Sequence, residues 1–149
     1  MEDVNMQNIK RGEIFFVQDT GNECGSEQRG IRPAVIVGND LGNKNSSTVE
    51  ITYLTASKKK KLPTHVPIIP KLGRPSTALC ESVHTISKER ILECIGKVNP
   101  KEQNKLDKAL CVSLSLPYME EVIKERDMYK EMYLDLISRI NMHQKIFCN

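Results

Sequence analysis

Apolar positions along the first two thirds of the chain come in short runs broken by turn residues, and the last third changes to helical spacing. Residues 1–8 are polar and predict a flexible N-terminus. Lys10-Arg11-Gly12 leads into Glu13-Ile14-Phe15-Phe16-Val17, a short β-rich run. Gln18 to Gly30 scatters glycines among polar residues, as a mobile loop does. Ala34-Val35-Ile36-Val37, after Arg32-Pro33, is nearly continuous in apolar residues and predicts a buried strand. Asn39 to Ser47 is rich in turn residues. Thr48 to Thr55 is dense in β-branched residues and predicts another strand. His65 to Ile69 is a weaker strand, and Pro67 places it at an edge or bend. Thr77 to Glu81 and Cys94 to Val98 complete the strands, with a short helix over Lys88 to Glu93 between them.

Asn99-Pro100-Lys101-Glu102 has the composition of a helix start. Asn99 can cap, proline is tolerated in the first turn, and Glu102 stands at the capping-box position. Leu106, Leu110 and Leu114 mark one face of a helix reaching about Leu116. Beyond Pro117, residues 117–149 carry Met119, Val122, Tyr129, Tyr133, Leu136, Ile140 and Phe147 on a three-four stripe, interrupted by Arg126 and His143, which predicts a long amphipathic helix. The expected fold is mainly β with short helices: a small, curved β-barrel plus a C-terminal helical extension.

Composition narrows the class. The 149 residues include 39% hydrophobic and 28% charged residues, enough for one modest core and too organised for general disorder. With no Trp and 5% aromatics, that core is mainly aliphatic. No apolar run approaches the ~18–20 residues of a membrane span, and no leader pattern opens the chain. The expectation is a soluble, cytoplasmic protein. Five cysteines (Cys24, Cys80, Cys94, Cys111, Cys148) at wide, irregular spacings show no zinc pattern and read as free thiols. Neither a phosphate-binding glycine loop nor a carboxylate cluster suited to Mg²⁺ occurs, so the expectation is no metal and no cofactor. Net charge is +3, but from Arg29 to Arg74 nine Lys/Arg face two acidic residues, a local balance of +7. A basic middle suits a polyanion. The Lys58 to Lys61 run suits general attraction of phosphate better than reading of sequence.

Gly25-Ser26-Glu27-Gln28-Arg29-Gly30-Ile31-Arg32-Pro33 resembles the signature segment of MazF/PemK toxins. Four further features resemble that family in order and spacing. They are Lys10-Arg11-Gly12, Val37-Gly38-Asn39-Asp40, Thr55 followed by Leu62-Pro63-Thr64-His65, and Glu81 with Thr85-Ile86 and Arg90-Ile91. The resemblance covers roughly Ile9 to Leu116, so it implies a toxin domain over 9–116. It implies an SH3-like or CcdB-like fold, a homodimer, and cleavage of single-stranded RNA at short sequences without metal. The implied reaction uses the substrate's own 2′-hydroxyl and leaves a 2′,3′-cyclic phosphate and a 5′-hydroxyl. The implied partner is a MazE-like antitoxin protein that blocks the RNA groove.

Residue types fit that chemistry. Arg32 matches the family's catalytic arginine, and a guanidinium offers planar paired donors to phosphate oxygens. Thr55 matches its catalytic threonine, whose hydroxyl can support charge developing on phosphorus. Arginine is an unpromising general base, whereas His65 and His84 are of the type that titrates near neutrality. By resemblance Ser26, Glu27, Gln28, Asn39, Leu62 and Glu81 line the RNA groove, where polar side chains read splayed bases. Ser82 and His84 stand where family members often carry glutamine and arginine, which points to an altered cut sequence. The rival function is that of CcdB, a toxin of the same fold that binds gyrase and cleaves nothing. The tail lies beyond the resemblance and is expected to pack within the dimer; covering the RNA groove is the alternative.

Overall fold

The computed structural model describes residues 8–19, 30–57, 59–69 and 74–147. Six strands carry the fold: β1 (Glu13–Asp19), β2 (Gly30–Ile36), β3 (Thr48–Thr55), β4 (His65–Ile68), β5 (Ser76–Ser87) and β6 (Ile91–Lys97). They form one sheet of order β4-β5-β3-β2-β1-β6, with every neighbouring pair antiparallel. β4 is an edge strand, as Pro67 requires of a residue with no N–H to give. Pro33 lies inside β2 opposite Phe16, but the β2–β3 ladder begins only at Ala34, so its missing N–H costs no bond on that side.

Alternation along the strands produces two cores. On one face Ile14, Val35, Leu54, Val66 and Ala78 pack with Leu106 and Ala109 of α2 (Pro100–Ser113). On the other, Phe15, Val17, Ala34, Ile36, Ile51 and Tyr53 bury one another. α2 lies against β4 and β5 on the first face, so the second face is covered by the curl of the sheet into a half-barrel. Leu106 is fully buried, worth about 1.5–3 kcal/mol in removed apolar surface. Cys80 sits in the same core with its thiol pushed up to about 12, chiefly by burial, so it fills space and is no nucleophile.

The α2 start is as read: Asn99 Oδ1 accepts from Glu102 N (2.9 Å) while Glu102 Oε2 accepts from Asn99 N (2.9 Å). Its other end stops earlier than Leu116. The helix closes at Ser113 with Leu114 as cap, and Ser115 turns left-handed at φ 53°.

Four further boundaries differ. The Asn39 to Ser47 turn region contains a six-residue helix, α1 (Asp40–Asn45), because Asn39 Oδ1 accepts the Gly42 N–H and starts it. Gln18 and Asp19 continue β1, and Gly30 already belongs to β2, because these residues complete the antiparallel ladder between the two. Beyond Glu81, β5 runs on to Ser87, opposite β3. The expected helix at Lys88 to Glu93 shrinks to a single 3₁₀ turn, Lys88–Arg90, since Ile91 pairs with Val17 and starts β6.

Chain contacts divide the protein into two compact units, 1–114 and 115–149. The second contains α3 (Met119–Phe147). No helix among the described residues is long and apolar enough to cross a membrane.

Candidate functional site

Strand parity brings the key residues to one face. Val17, Ala34, Ile51 and Tyr53 face the second core, so Asp19, Arg32 and Thr55, each two residues along its strand, share that face at the core's open end. The β2–β3 register pairs Ala34 with Tyr53, and two residues further it puts Arg32 level with Thr55. The ladder stops at Ala34, so here β2 bonds only to β1.

Arg32 is held from two sides. Its Nη1 donates to Asp19 Oδ2 (3.3 Å), and its guanidinium carbon lies 4.6 Å from the centre of the Tyr53 ring. Asp19 also faces Arg90 (Oδ1 to Nη2, 3.8 Å). Arg90 in turn donates to the Gln18 carbonyl (2.8 Å) and to the Tyr53 hydroxyl (3.4 Å). The ring of Tyr53 lies 5.1 Å from that of His84, tilted by 57°. Asp19, Arg32, Tyr53, His84 and Arg90 therefore form one connected group. Two guanidinium cations face the Asp19 carboxylate there.

Thr55 ends β3 with Oγ1 accepting the Ser57 N–H (3.3 Å). Its neighbour Thr52 is fully buried, and its Oγ1 lies 2.7 Å from the Leu79 carbonyl and 3.2 Å from that of Ser82. Those contacts pin a bulge where β5 spends four residues, 79–82, against the single Tyr53 of β3. The bulge redirects β5 between Glu81 and His84.

A second group forms on β4 and β5. His65 Nδ1 lies 2.6 Å from the Lys60 carbonyl, and Nε2 lies 2.8 Å from Glu81 Oε1. A carbonyl can only accept, so Nδ1 carries a proton; a carboxylate at Nε2 then calls for a second, making imidazolium. Glu81 first, and the Lys60 carbonyl after it, raise the His65 pKa. For Glu81, burial is the largest influence and pushes upward. The backbone N–H, His65 and Thr64 together outweigh it and hold the carboxyl below its ordinary value. This pair anchors the start of the lysine loop, whose Lys59, Lys60 and Lys61 are exposed. Leu62 is half exposed and its carbonyl accepts the His65 N–H (3.0 Å).

Asn39 stands apart in role, since its Oδ1 caps α1. Beside it the Arg11 N–H holds the Asp40 carboxyl below its ordinary pKa, against opposing desolvation and with help from Lys10. Ser26, Glu27 and Gln28 lie outside the described residues, as does Lys58.

The sequence names Arg32 and Thr55 as candidates; the sheet places Asp19, Tyr53 and Arg90 around Arg32, which sequence reading did not single out. Parity was the available signal, because Tyr53 and Thr55 are two apart on one strand. No cluster of three or more metal-ligating side chains occurs among the described residues.

Residues 10–114 match the PemK-like, MazF-like toxins of type II toxin-antitoxin systems. The chain belongs to this family. It is 40% identical over 112 residues to "Endoribonuclease EndoA" of Bacillus subtilis, covering 72% of this chain and 96% of that protein. The fold resembles an endoribonuclease solved in complex with its cognate antitoxin from Mycobacterial species (TM-score 0.63, 26% identity, 74% of this chain and 98% of that one). It also resembles MazF from Deinococcus radiodurans (TM-score 0.61, 19% identity, 73% and 98% coverage), a likeness of fold alone. The family match leaves α3 outside.

Proposed function

We propose that this chain is the toxin of a type II toxin–antitoxin pair, a sequence-specific endoribonuclease that cuts single-stranded RNA without a metal. The observation that carries this reading is Arg32, held by Asp19 and the Tyr53 ring at the level of Thr55 in a chain of the PemK/MazF family. The name of the Bacillus relative supports the activity.

The 2′-oxygen of the substrate attacks phosphorus and the bond from phosphorus to the 5′-oxygen breaks. The 2′-hydroxyl proton passes to a base, and the 5′-oxygen takes up a proton. The products are a 2′,3′-cyclic phosphate and a 5′-hydroxyl. Arg32 binds the non-bridging oxygens with a permanent cation, which supplies the charge a metal would otherwise bring. Thr55 adds a hydroxyl hydrogen bond to the same oxygens. His65 has both nitrogens committed to Lys60 and Glu81, and His84 lies tilted against the Tyr53 ring in the same connected group as Arg32.

Ser26, Glu27, Gln28, Asn39 and Leu62 contact RNA, Asn39 through its amide NH₂ because Oδ1 caps α1, and Leu62 by stacking on a base. Glu81, engaged by His65, shapes the groove wall. Residues 9–116 are the catalytic domain and 117–149 an appended helix. The toxin acts in the cytoplasm as a homodimer, and a MazE-like antitoxin blocks its groove. Relatives solved with their antitoxins support that partner.

Incubating purified protein with mixed-sequence RNA in EDTA, beside a gyrase supercoiling assay, separates the two toxin classes. RNA cut at a short recurring sequence with supercoiling intact is the expected result. Intact RNA with inhibited gyrase would replace this reading with the CcdB-like one.

A further inference from the structure

α3 spans 29 residues, about four heptads. Val122, Tyr129, Tyr133, Leu136 and Ile140 lie on one three-four stripe, interrupted at Arg126, and each is between 43% and 63% exposed. Ile123, Met132 and Ile137 widen the stripe, and they too are exposed. An exposed apolar band of this length, about 27 Å of helix from Val122 to Ile140, suits a surface that a partner covers.

We infer that α3 pairs antiparallel with α3 of a second copy of this chain. Charge selects both the occupant and the direction. In a parallel pair Arg126, which falls on the stripe, would meet the partner's Arg126 in one core layer, a like-charge contact. Turned antiparallel with Tyr129 against the partner's Tyr133, the helix puts Val122 against the partner's Ile140. Arg126 then meets the partner's Leu136, where its stem packs while its head stays with Asp127 (2.7 Å) at the surface.

The flanks agree with that register. Glu125 falls opposite the partner's Arg139, and Ile123 opposite the partner's Ile137. Met132 lies beside the partner's Met132. One like-charge contact remains, Lys130 with the partner's Lys130, at the flank where long side chains diverge into water. The sequence is polarised accordingly. From Tyr118 to Glu131 there are five acidic and three basic residues, and from Met132 to Phe147 one acidic and two basic. Antiparallel pairing sets the acidic half of each helix on the basic half of the other.

Cross-linking in the full chain tests this. Cys24, Cys94, Cys111 and Cys148 are replaced by serine, and the buried Cys80 is kept. Met132→Cys treated with a short bismaleimide should give mostly cross-linked dimer on a denaturing gel. Leu136→Cys should stay monomeric, because antiparallel pairing separates the two copies by about ten residues, ~15 Å along the axis. Adding Glu125→Arg to Met132→Cys should lower the dimer fraction several-fold, and adding Arg139→Glu as well should restore it. No dimer from Met132→Cys would mean that another surface or protein covers α3. Dimer from Leu136→Cys would mean a parallel pair, and indifference to the charge swap would remove the basis for the pairing. The gel reads the helix contact whatever the chain does to RNA, so its outcome is separate from the nuclease reading.

Discussion

The side chains connected around Arg32 converge on one carboxylate and one ring. Asp19 fixes two guanidinium groups, with a side chain only 12% exposed. Asp19→Asn removes the charge that aims Arg32 but leaves the strand ladder intact. We expect cleavage to fall about ten- to a hundredfold through misplacement, while the denaturation midpoint barely moves. Steady-state rates beside a urea titration check both halves.

The His65–Glu81 pair gives a pH signature with a definite sign. His65 has a raised pKa in the folded chain, so its contribution is complete below the ordinary histidine value of 6.5 and fades as pH rises through the folded one. Glu81 has a lowered pKa, so its contribution is complete above the ordinary value of 4.5 and fades as pH falls through the folded one. Protection factors of the backbone amides around residues 59–65, corrected for the intrinsic rise of exchange with pH, should therefore be highest between those two ordinary values and fall above them. His65→Gln should flatten the profile; an unchanged profile would mean that the pair does not hold the loop.

At the scale of elements, legibility followed local chemistry. β3 was readable to the residue because β-branched side chains fill Thr48–Thr55, and α2 because Asn99 and Glu102 cap it. β5 was cut short for a physical reason. Its residues Glu81, Ser82 and Val83 are exposed around a bulge that Thr52 pins from a neighbouring strand, a contact 27–30 residues distant in sequence. The helix α1 depends on one cap within a run of Asn and Gly, which reads equally as turns. The same distance in sequence hid the site: Arg32 was legible from its motif, but Asp19, Tyr53 and Arg90 join it only through the sheet. Glu102 shows how an element is tied in. Besides completing the capping box, its Oε1 accepts the Ile69 N–H (3.2 Å) at the end of β4. Glu102→Ala should cost about 1 kcal/mol or somewhat more, read as a lower urea midpoint with an unchanged slope.

At the scale of the whole molecule, the chain divides into two compact units. The family match ends at residue 114, where the first compact unit also ends. A chain stopped after Leu116 should keep its RNA cleavage rate, and a rate that rises on truncation would mean that the tail restrains the groove. The central claim is the chemistry at Arg32. Its most direct test is to digest a defined single-stranded RNA in EDTA with the full chain and with Arg32→Ala, and to identify the new ends by mass spectrometry. The full chain should leave 2′,3′-cyclic phosphate and 5′-hydroxyl ends at one short sequence, with the rate falling at least about a hundredfold in the variant. Cleavage that persists in Arg32→Ala, or products bearing a 5′-phosphate, would contradict that claim.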